Sequence, residues 1–314
     1  MKTWLKTALI SGVLCCAVGA VLTAAGMLTG GKQYVQAADI NTLRGDARKA
    51  DSDSLAVLDK QKISGVQALN LSLDNLDLKI VPSDDDCCYL SYRIAATSGE
   101  APLTYTVQNG TLHLKENDAV QPQVHIDVDF LTDFLTFGRL PEDDDTQTVI
   151  LSVPKSQLKQ LDIRSSYGDI SMRGISAASG SIRCDNGDIS LKNCQLSQFT
   201  LNNDYGDIDL ERCALDTAAV QLSNGEFDAQ ETAFSGENSI TSSYGDVSVS
   251  DTLANLQALT IQASTSYGEI SVPDELRAQI RQTTDDELTD YCHSGTGGSL
   301  RVQADDGDIE LSDD

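Results

Sequence analysis

The sequence predicts an all-β protein, a β-solenoid of ~20-residue rungs that follows an N-terminal β cap and one transmembrane helix. Three observations support this fold class. A repeat of seven copies is centred on glycine, apolar and polar residues alternate on both sides of each glycine, and the N-terminal region contains a long uncharged segment.

The repeat consists of glycine and an acidic residue, followed by a short segment that alternates apolar and polar side chains. Its copies read SYGDISM, DNGDISL, DYGDIDL, SNGEFDA, SYGDVSV, SYGEISV and DDGDIEL, and their glycines are Gly168, Gly187, Gly206, Gly225, Gly245, Gly268 and Gly307. These glycines are 19, 19, 19, 20, 23 and 39 residues apart. A near-constant period indicates one supersecondary unit that buries its apolar face only against the next copy.

Three apolar columns become visible when the copies are aligned on glycine. Two residues after glycine lie Ile170, Ile189, Ile208, Phe227, Val247, Ile270 and Ile309. Four residues after it lie Met172, Leu191, Leu210, Ala229, Val249, Val272 and Leu311. Five residues before it lie Ile163, Ile182, Leu201, Val220, Ile240, Ala263 and Val302. A period of two on both sides of a glycine turn is typical of half-buried strands. We therefore expect two or three short strands per rung, with rungs stacked ~4.8 Å apart.

Two other folds agree less well with this pattern. Leucine-rich repeats share the period, but their L-x-x-L-x-L-x-x-N frame is absent. A sandwich of hairpins needs neither a constant period nor the same turn each time. The 39-residue gap contains residues 273–280, which could form one degenerate rung or a short helix, and the sequence leaves both open.

The N-terminal region predicts a membrane anchor. Residues 7–31 carry no charged side chain, and these 25 residues are enough to cross a bilayer. Lys2, Trp4 and Lys6 precede them, which favours a cytoplasmic N-terminus and places the remaining chain outside the cytoplasm. The alternative is a signal peptide cleaved at Val35-Gln36-Ala37, which would release a secreted protein.

The rest of the chain divides into three regions. We expect a polar stalk over 32–62 with some helix around 43–58, an N-terminal β region over 63–155, and the repeat solenoid over 156–314. Within the β region, Asn109-Gly110 lies between two alternating segments and predicts a hairpin, while residues 116–148 interrupt the pattern like an insertion. This β region should cap the solenoid, whose first rung otherwise exposes an open strand edge.

Composition restricts the partners. The chain has 22 basic and 48 acidic residues and a net charge of −26, and the part after residue 31 carries −28. Such a domain lacks the basic surface that nucleic acid binding requires, and anionic lipid repels it. It suits attraction to cations and basic partners. We therefore expect a protein or polysaccharide ligand of the cell envelope or surface, with membrane contact through residues 7–31.

The acidic residues after the glycines are the first candidate site. They would form a ladder along one corner of the solenoid, made of Asp169, Asp188, Asp207, Glu226 and Asp246, with Glu269 and Asp308 beyond them. Stacked carboxylates could bind Ca²⁺, which prefers several oxygen ligands. The favoured interpretation is a solvated turn in which Asp simply follows Gly, because the nonapeptide calcium-binding signature is absent. Apart from this calcium, no cofactor is expected.

A second candidate metal site is His125-Ile126-Asp127-Val128-Asp129. His125, Asp127 and Asp129 share one face of a predicted strand and could hold a divalent metal. They are equally well explained as the polar side of an amphipathic strand, and this second interpretation is favoured for so short a motif.

The cysteines suggest packing more than redox chemistry. Cys194 and Cys213 should stack on adjacent rungs at the position of Ile175, as buried thiols or as a disulfide, and we favour thiols. Cys184, Cys292 and the Cys87-Cys88 pair have no assignable partner. No C-x-x-C motif is present, so neither thioredoxin-like chemistry nor a zinc ribbon is indicated.

No catalytic site is expected. The chain has three histidines and no G-x-S-x-G, H-E-x-x-H or P-loop motif. The run 295–298, GTGG, lacks the lysine and the helix of a phosphate loop and is more typical of a turn. Abundant carboxylates leave a polysaccharide-cleaving solenoid open. The tyrosines that precede repeat glycines could line a sugar-binding strip or pack at the corner; they are Tyr167, Tyr205, Tyr244 and Tyr267.

Three stretches resemble the bacterial "putative adhesin" family of β-strand-repeat domains of unknown function. They are residues 71–86 (LSLDNLDLKIVPSDDD), 149–172 (VILSVPKSQLKQLDIRSSYGDISM) and 295–311 (GTGGSLRVQADDGDIEL). The resemblance covers most of residues 66–311 and implies a membrane-anchored, extracytoplasmic β-solenoid of a kind often linked with cell-envelope stress functions. The family offers no catalytic residues, and the insertion at 116–148 and the eight cysteines depart from its pattern.

Together these observations predict an adhesin-like or envelope-associated binding module on the outside of the cell membrane. A carbohydrate-active enzyme built on the same solenoid and a purely structural surface spacer are the alternatives. Hydrolysis of cell-wall polysaccharides would distinguish the enzyme from the other two.

Overall fold

The computed structural model describes residues 55–97, 100–120, 147–277 and 289–313, and residues from Leu55 onward form one compact unit. The expected anchor at 7–31, the stalk up to residue 54, most of the insertion and the His125 site lie outside the described residues. Within the described ranges, no helix is long and apolar enough to cross a membrane.

Strands dominate the described residues. The N-terminal strands are β1 Leu55–Ile63, β2 Ala68–Leu73, β3 Asp77–Pro82, β4 Cys88–Ala95, β5 Leu103–Gln108, β6 Thr111–Glu116 and β7 Thr148–Val153. The strands of the first regular rungs are β8 Gln160–Ser165, β9 Ile170–Arg173, β10 Ser176–Ala177, β11 Gly180–Asn186, β12 Ile189–Lys192, β13 Gln195–Tyr205 and β14 Ile208–Glu211. The later strands are β15 Ala214–Asn224, β16 Phe227–Gln230, β17 Ala233–Ser235, β18 Glu237–Tyr244, β19 Val247–Asp251, β20 Thr260–Tyr267, β21 Ile270–Ser271, β22 Asp290–His293, β23 Ser299–Asp306 and β24 Ile309–Asp313. Two short helices accompany them, α1 Leu253–Ala258 and α2 Asp274–Arg277.

Two long sheets run along the molecule, and each regular rung contributes one strand to each. The first sheet has the order β1-β4-β7-β3-β9-β12-β14-β16-β19-β24-β21. The second has the order β22-β20-β23-β18-β15-β13-β11-β8-β2-β6-β5, and β10 and β17 pair with the starts of β13 and β15. Between the regular rungs the pairing is parallel throughout. This stacking confirms the β-solenoid that the period predicted.

The core lies between the two sheets and consists of the three predicted apolar columns. Ile189 pairs in register with Ile170 on one side and Ile208 on the other, so identical repeat positions stack directly. All members of the three columns are buried, none exposing more than 6% of its surface. Since identical positions meet at each step, the period of the sequence translates directly into a continuous core.

The spatial order of the last rungs differs from their order in the chain. β23 lies between β18 and β20, and β24 lies between β19 and β21, so the C-terminal rung is inserted inside the stack. Val302 therefore pairs with both Ile240 and Ala263. In its described part, the long gap before this rung holds α2 and the antiparallel strand β22, which supports the short helix over a degenerate rung.

The N-terminal strands cover the opposite end of the stack, as predicted. β2 and β3 pair with β8 and β9, β6 and β7 follow, and the antiparallel strands β5, β4 and β1 lie outermost. The predicted hairpin is confirmed: Asn109 and Gly110, with φ of +52 and +82 degrees, join β5 and β6. The strands begin earlier than predicted, at Leu55, so the helix expected around 43–58 is wrong for its last residues, which pair with β4.

A buried glutamate stabilises the turn of the N-terminal rung, where the repeat glycine is missing. Glu116 exposes 3% of its surface, and its carboxylate accepts hydrogen bonds from the backbone N–H groups of Asp74, Asn75 and Leu76 at 2.7–3.3 Å. A carboxylate that accepts several backbone N–H bonds can be buried at little cost. The sequence did not predict this role, because Glu116 lies at the start of the expected insertion and outside the repeat pattern.

Candidate functional site: the glycine corner

The repeat glycines form one corner of the solenoid, between the second and the first sheet. Five of them, Gly187, Gly206, Gly225, Gly245 and Gly307, have φ between +137 and +155 degrees. A Cβ atom on any of these five would lie 2.0–2.8 Å from the carbonyl oxygen of the corner glycine in the neighbouring rung. Only glycine satisfies both the conformation and the close approach, so the repeat glycine is a requirement of rung stacking.

The acidic residues after the glycines are connected by hydrogen bonds from rung to rung. The Oδ1 of Asp169 accepts from the backbone N–H of Asp188 at 2.9 Å, and the Oδ1 of Asp188 accepts from that of Asp207 at 2.8 Å. The same bond joins Asp207 to Glu226 and Asp246 to Asp308, both at 2.8 Å. Every aspartate in this column therefore fixes the backbone of the next rung.

These bonds explain why aspartate follows glycine. Without the side chain above them, the corner N–H groups would lose this acceptor, and a charged acceptor makes the bond stronger than a neutral one. Each such aspartate commits one carboxylate oxygen to structure. The described part of the chain contains no group of three or more His, Cys, Asp or Glu side chains placed to hold a metal ion, and the calcium site of Asp169, Asp188, Asp207, Glu226 and Asp246 stays a prediction.

A second polar column, inside the corner, was missed in the sequence. The third residue before glycine is buried and often donates a hydrogen bond to a corner glycine carbonyl. The Oγ of Ser242 donates to Gly245 at 3.0 Å, and the Nδ2 of Asn203 donates to Gly187 at 3.0 Å. The signal was available, since Ser, Thr or Asn recurs at a position where a strand of this register should bury an apolar side chain.

The tyrosines of the repeat lie on the outside of this corner and occupy every second rung. In spatial order the residues just before the glycines are Tyr167, Asn186, Tyr205, Asn224, Tyr244, Asp306 and Tyr267, and we call this row the tyrosine strip. The four tyrosines expose 68, 60, 63 and 80% of their surface. Their exposure excludes the corner-packing interpretation.

The alternation exists only in the folded chain. Along the sequence Tyr244 is followed by Tyr267 and then by Asp306, which breaks the pattern. The inserted C-terminal rung places Asp306 between Tyr244 and Tyr267, because Asp306 pairs with both. With rungs ~4.8 Å apart, successive tyrosines are therefore ~9.6 Å apart along the strip.

Hydrogen-bond acceptors lie between and beside the tyrosines. The Nδ2 groups of Asn186 and Asn224 donate to the backbone carbonyls of Ser166 and Asp204, each at 3.2 Å, which leaves their Oδ1 atoms as acceptors. Beside them, Arg183 bridges the carboxylates of Asp185 and Asp204 at 2.9 and 2.6 Å. The strip thus combines aromatic rings with oxygen acceptors.

The outer face of the first sheet carries a pair of neighbouring carboxylates. Asp209 and Asp228 pair in register on adjacent strands and line a shallow depression of about 170 Å³ together with Lys192 and Glu211. Partial burial, followed by repulsion from Asp228, raises the pKa of Asp209. Lys192 is the one basic residue among the described residues that line this depression, and it forms an ion pair with Glu211. The two aspartates therefore share no basic partner of their own among these lining residues.

The cysteines of the described residues are free thiols. Cys194 and Cys213 are buried at equivalent positions of adjacent rungs, as predicted, and the backbone N–H of Cys194 donates to the Sγ of Cys213 at 3.4 Å. The hydrogen bond with Cys213, together with burial, raises the pKa of the Cys194 thiol. Burial raises the pKa of the Cys184 thiol to about 12. Buried thiols with a raised pKa are poor nucleophiles, so Cys184 and Cys194 act as core residues. The hydrogen bond with Cys194 lowers the pKa of Cys213, which is buried beside it.

Comparison with known proteins agrees with this architecture. Residues 66–312 match the family model described as Toastrack DUF4097, a domain of unknown function. None of the curated proteins matches this chain.

Two crystal structures are similar over most of the chain. One is described as a "putative cell adhesion protein" from Clostridium sporogenes ATCC 15579; it is 11% identical, with 83% of this chain and 99% of that one covered and a TM-score of 0.32. The other is described as a "putative adhesin" from Bacteroides fragilis NCTC 9343; it is also 11% identical, with 83% and 98% covered and a TM-score of 0.38.

Proposed function

Because the chain belongs to the Toastrack DUF4097 family, whose function is unknown, we propose from its surface that it is a binding module displayed outside the cell membrane. In this proposal residues 7–31 anchor the chain, the N-terminus is cytoplasmic, and the solenoid presents an adhesin-like or envelope-binding surface. A fold does not by itself imply a function, so a binding function has to rest on particular side chains on the surface.

The tyrosine strip is the observation that carries this proposal. Four rings that expose 60–80% of their surface lie in one row on a rigid edge of the stack. Large aromatic side chains bury much of their area in folded proteins, and aromatic residues are enriched where proteins bind partners. A row of exposed tyrosines at regular spacing has no structural explanation in the corner, where glycine and aspartate already make the stacking contacts.

The proposed orientation of the chain across the membrane rests on the distribution of its charged residues. The only charged residues among the first 31 are Lys2 and Lys6, and the chain that follows carries −28. Basic residues before an apolar span favour a cytoplasmic N-terminus. Protease added to intact cells should degrade the solenoid and leave an N-terminal tag protected. Protection of the solenoid instead would reverse this topology.

Binding can be tested with the purified full-length chain in detergent. We expect it to sediment with isolated cell envelopes, and we expect the variant with all four strip tyrosines changed to alanine to remain in the supernatant. The matched control changes Val57 and Val107 to alanine, since these are exposed apolar residues away from the strip. A wild-type chain that never sediments with envelopes would overturn the binding-module function.

A carbohydrate-active enzyme is the second candidate, and the Asp209–Asp228 pair is the observation that favours it. Glycoside hydrolysis uses two carboxyl groups, one of which has a raised pKa and donates a proton. We expect no release of reducing ends from cell-wall polysaccharides, because the pair faces no deep cleft for a substrate. Hydrolysis by the wild-type chain that is lost in Asp228→Asn would establish the enzyme.

A further inference from the structure

The spacing of the tyrosine strip is fixed by the fold. Backbone hydrogen bonds hold the rungs together on both sides of the strip, for example from Gly187 N–H to the Tyr205 carbonyl at 2.9 Å and from Gly206 N–H to the Asn224 carbonyl at 3.1 Å. The rings therefore recur every ~9.6 Å along the edge of the stack. A ligand that matches this spacing binds without ordering the protein, which lowers the entropic cost of association.

We propose that the tyrosine strip binds an extended β-1,4-linked polysaccharide of neutral or amine-bearing sugars, with one tyrosine against every second sugar. The inference rests on the proposed binding function and names its ligand class. Successive sugars of such a chain are turned by about half a turn, so that the same apolar ring face returns at every second sugar. The length of this two-sugar repeat is close to two rung spacings.

The hydrogen-bonding groups of the strip favour a ligand rich in donors. Between the rings lie the Oδ1 atoms of Asn186 and Asn224 and the carboxylate of Asp306, and the carboxylate of Asp204 lies beside them. These oxygens accept and do not donate. Sugar hydroxyl and ammonium groups supply the complementary donors, so each stacked ring would have an acceptor beside it.

A proline-rich peptide is the competing ligand, because its extended helix also repeats at ~9.3 Å, three residues of ~3.1 Å each. Proline has no backbone N–H, and such a peptide presents mainly carbonyl acceptors. Facing the oxygens of Asn186, Asn224 and Asp306, these carbonyls would find donors only in the tyrosine hydroxyls and in the second N–H of each asparagine amide. The polar groups between the rings therefore favour the polysaccharide.

The negative charge beside the strip restricts which polysaccharides can bind. The acidic ladder runs parallel to the strip, one residue beyond the corner glycine, and its carboxylates at Asp188, Asp207 and Asp246 are exposed or partly exposed. An anionic polymer on the strip would lie near this row and be repelled by it. A neutral glycan is tolerated, and an amine-bearing one is attracted more strongly at low salt.

The experiment titrates the full-length chain with soluble hexasaccharides in an isothermal calorimeter. The probes are cellohexaose, the N-acetylglucosamine hexamer and the glucosamine hexamer, all β-1,4-linked. Maltohexaose, which is α-1,4-linked, and an anionic oligogalacturonate serve as controls. We expect binding of at least one β-1,4-linked probe and of neither control.

Three variants test the role and the spacing of the rings. Tyr205→Ala should weaken binding by about three- to tenfold, as expected for one lost aromatic contact, and Tyr205→Phe should keep the affinity. The double variant N224Y/Y244N keeps four tyrosines on the strip but breaks their two-rung period, and it should also weaken binding. Thermal unfolding should be unchanged in the two Tyr205 variants, because this side chain lies on the outer surface, whereas N224Y/Y244N also loses the hydrogen bond from Asn224 to the Asp204 carbonyl.

The outcomes separate this inference from the function on which it rests. Equal affinity of N224Y/Y244N and wild type, or binding of a polyproline peptide in preference to every glycan, would overturn the polysaccharide site. If none of the hexasaccharides binds while the chain still sediments with envelopes, the ligand class is wrong and the binding module remains. If the chain neither binds a hexasaccharide nor sediments with envelopes, the proposed function fails as well.

Discussion

Replacing Gly206 by alanine tests whether the glycine corner controls rung stacking. Gly206 has φ of +137 degrees, and an added Cβ would lie 2.3 Å from the carbonyl oxygen of Gly187 and 2.9 Å from the Oδ1 of Asp188. Two costs follow. The conformation itself costs ~1–3 kcal/mol for a residue with a side chain, and relieving the clash would lengthen backbone hydrogen bonds worth ~1 kcal/mol each.

We therefore expect Gly206→Ala to lower the free energy of unfolding by ~3–5 kcal/mol. The matched control is Gly65→Ala, where φ is +78 degrees and no atom lies within 4 Å of the added Cβ. This control should cost only ~1–2 kcal/mol, because it has the strained conformation without the clash.

Differential scanning calorimetry of the full-length variants measures the difference. At ~2–4 °C per kcal/mol for a domain of this size, the melting temperature should fall by roughly 10 °C in Gly206→Ala and by a few degrees in Gly65→Ala. Equal losses in the two variants would show that the rungs can separate at the corner, and the stacking argument would be wrong.

Three further perturbations test the core, the acidic ladder and the carboxylate pair. Ile208→Asp should destabilise by several kcal/mol because it buries a charge. The neutral control Ser190→Asn, on the exposed face of the neighbouring strand, should be nearly silent, and equal melting temperatures of the two variants would refute the register. Rising ionic strength should stabilise the chain, because salt screens the repulsion between the carboxylates of the acidic corner. The contradicting result is a gain in melting temperature that only Ca²⁺ produces and that disappears in the double variant Asp188→Asn/Asp207→Asn; it would establish a metal site. Because the pKa of Asp209 is raised in the folded state, its ionisation removes stability as the pH rises from the ordinary aspartate value of 3.8; Asp209→Asn should therefore raise the melting temperature at pH 7 and leave it unchanged well below that value, and the opposite pH trend would contradict the assignment.

The sequence alone determined the rung. The spacing of the glycines, the three apolar columns and the Asn109-Gly110 hairpin were all predicted, because each depends on residues close together in the chain. Period-two alternation specifies which side chains face the core, and glycine next to Asn or Asp specifies the turn. The stacking of Cys194 on Cys213 followed from the same period, which places equivalent positions side by side, whereas the period left open whether they are free thiols or a disulfide.

Only the tertiary structure decided which rungs are neighbours at the ends of the stack. A period gives the length of a rung along the chain but not its partner, because any two rungs with the same register can pair. The strands of the C-terminal rung pair along both of their edges, inside the stack, which leaves the rung of Tyr267 next to the antiparallel strand β22. This choice creates the alternation of tyrosine with Asn or Asp, so the candidate binding surface could not be predicted from spacing alone.

The role of the acidic residues was also decided in three dimensions. The sequence showed aspartate after glycine but not the direction of its carboxylate, which depends on the corner conformation and on the rung beside it. Each aspartate accepts a backbone N–H about 4.8 Å along the stack, a contact between residues such as Asp188 and Asp207 that are 19 positions apart. Period and composition determined the scaffold of this protein, whereas rung order and hydrogen bonding between rungs determined its surface.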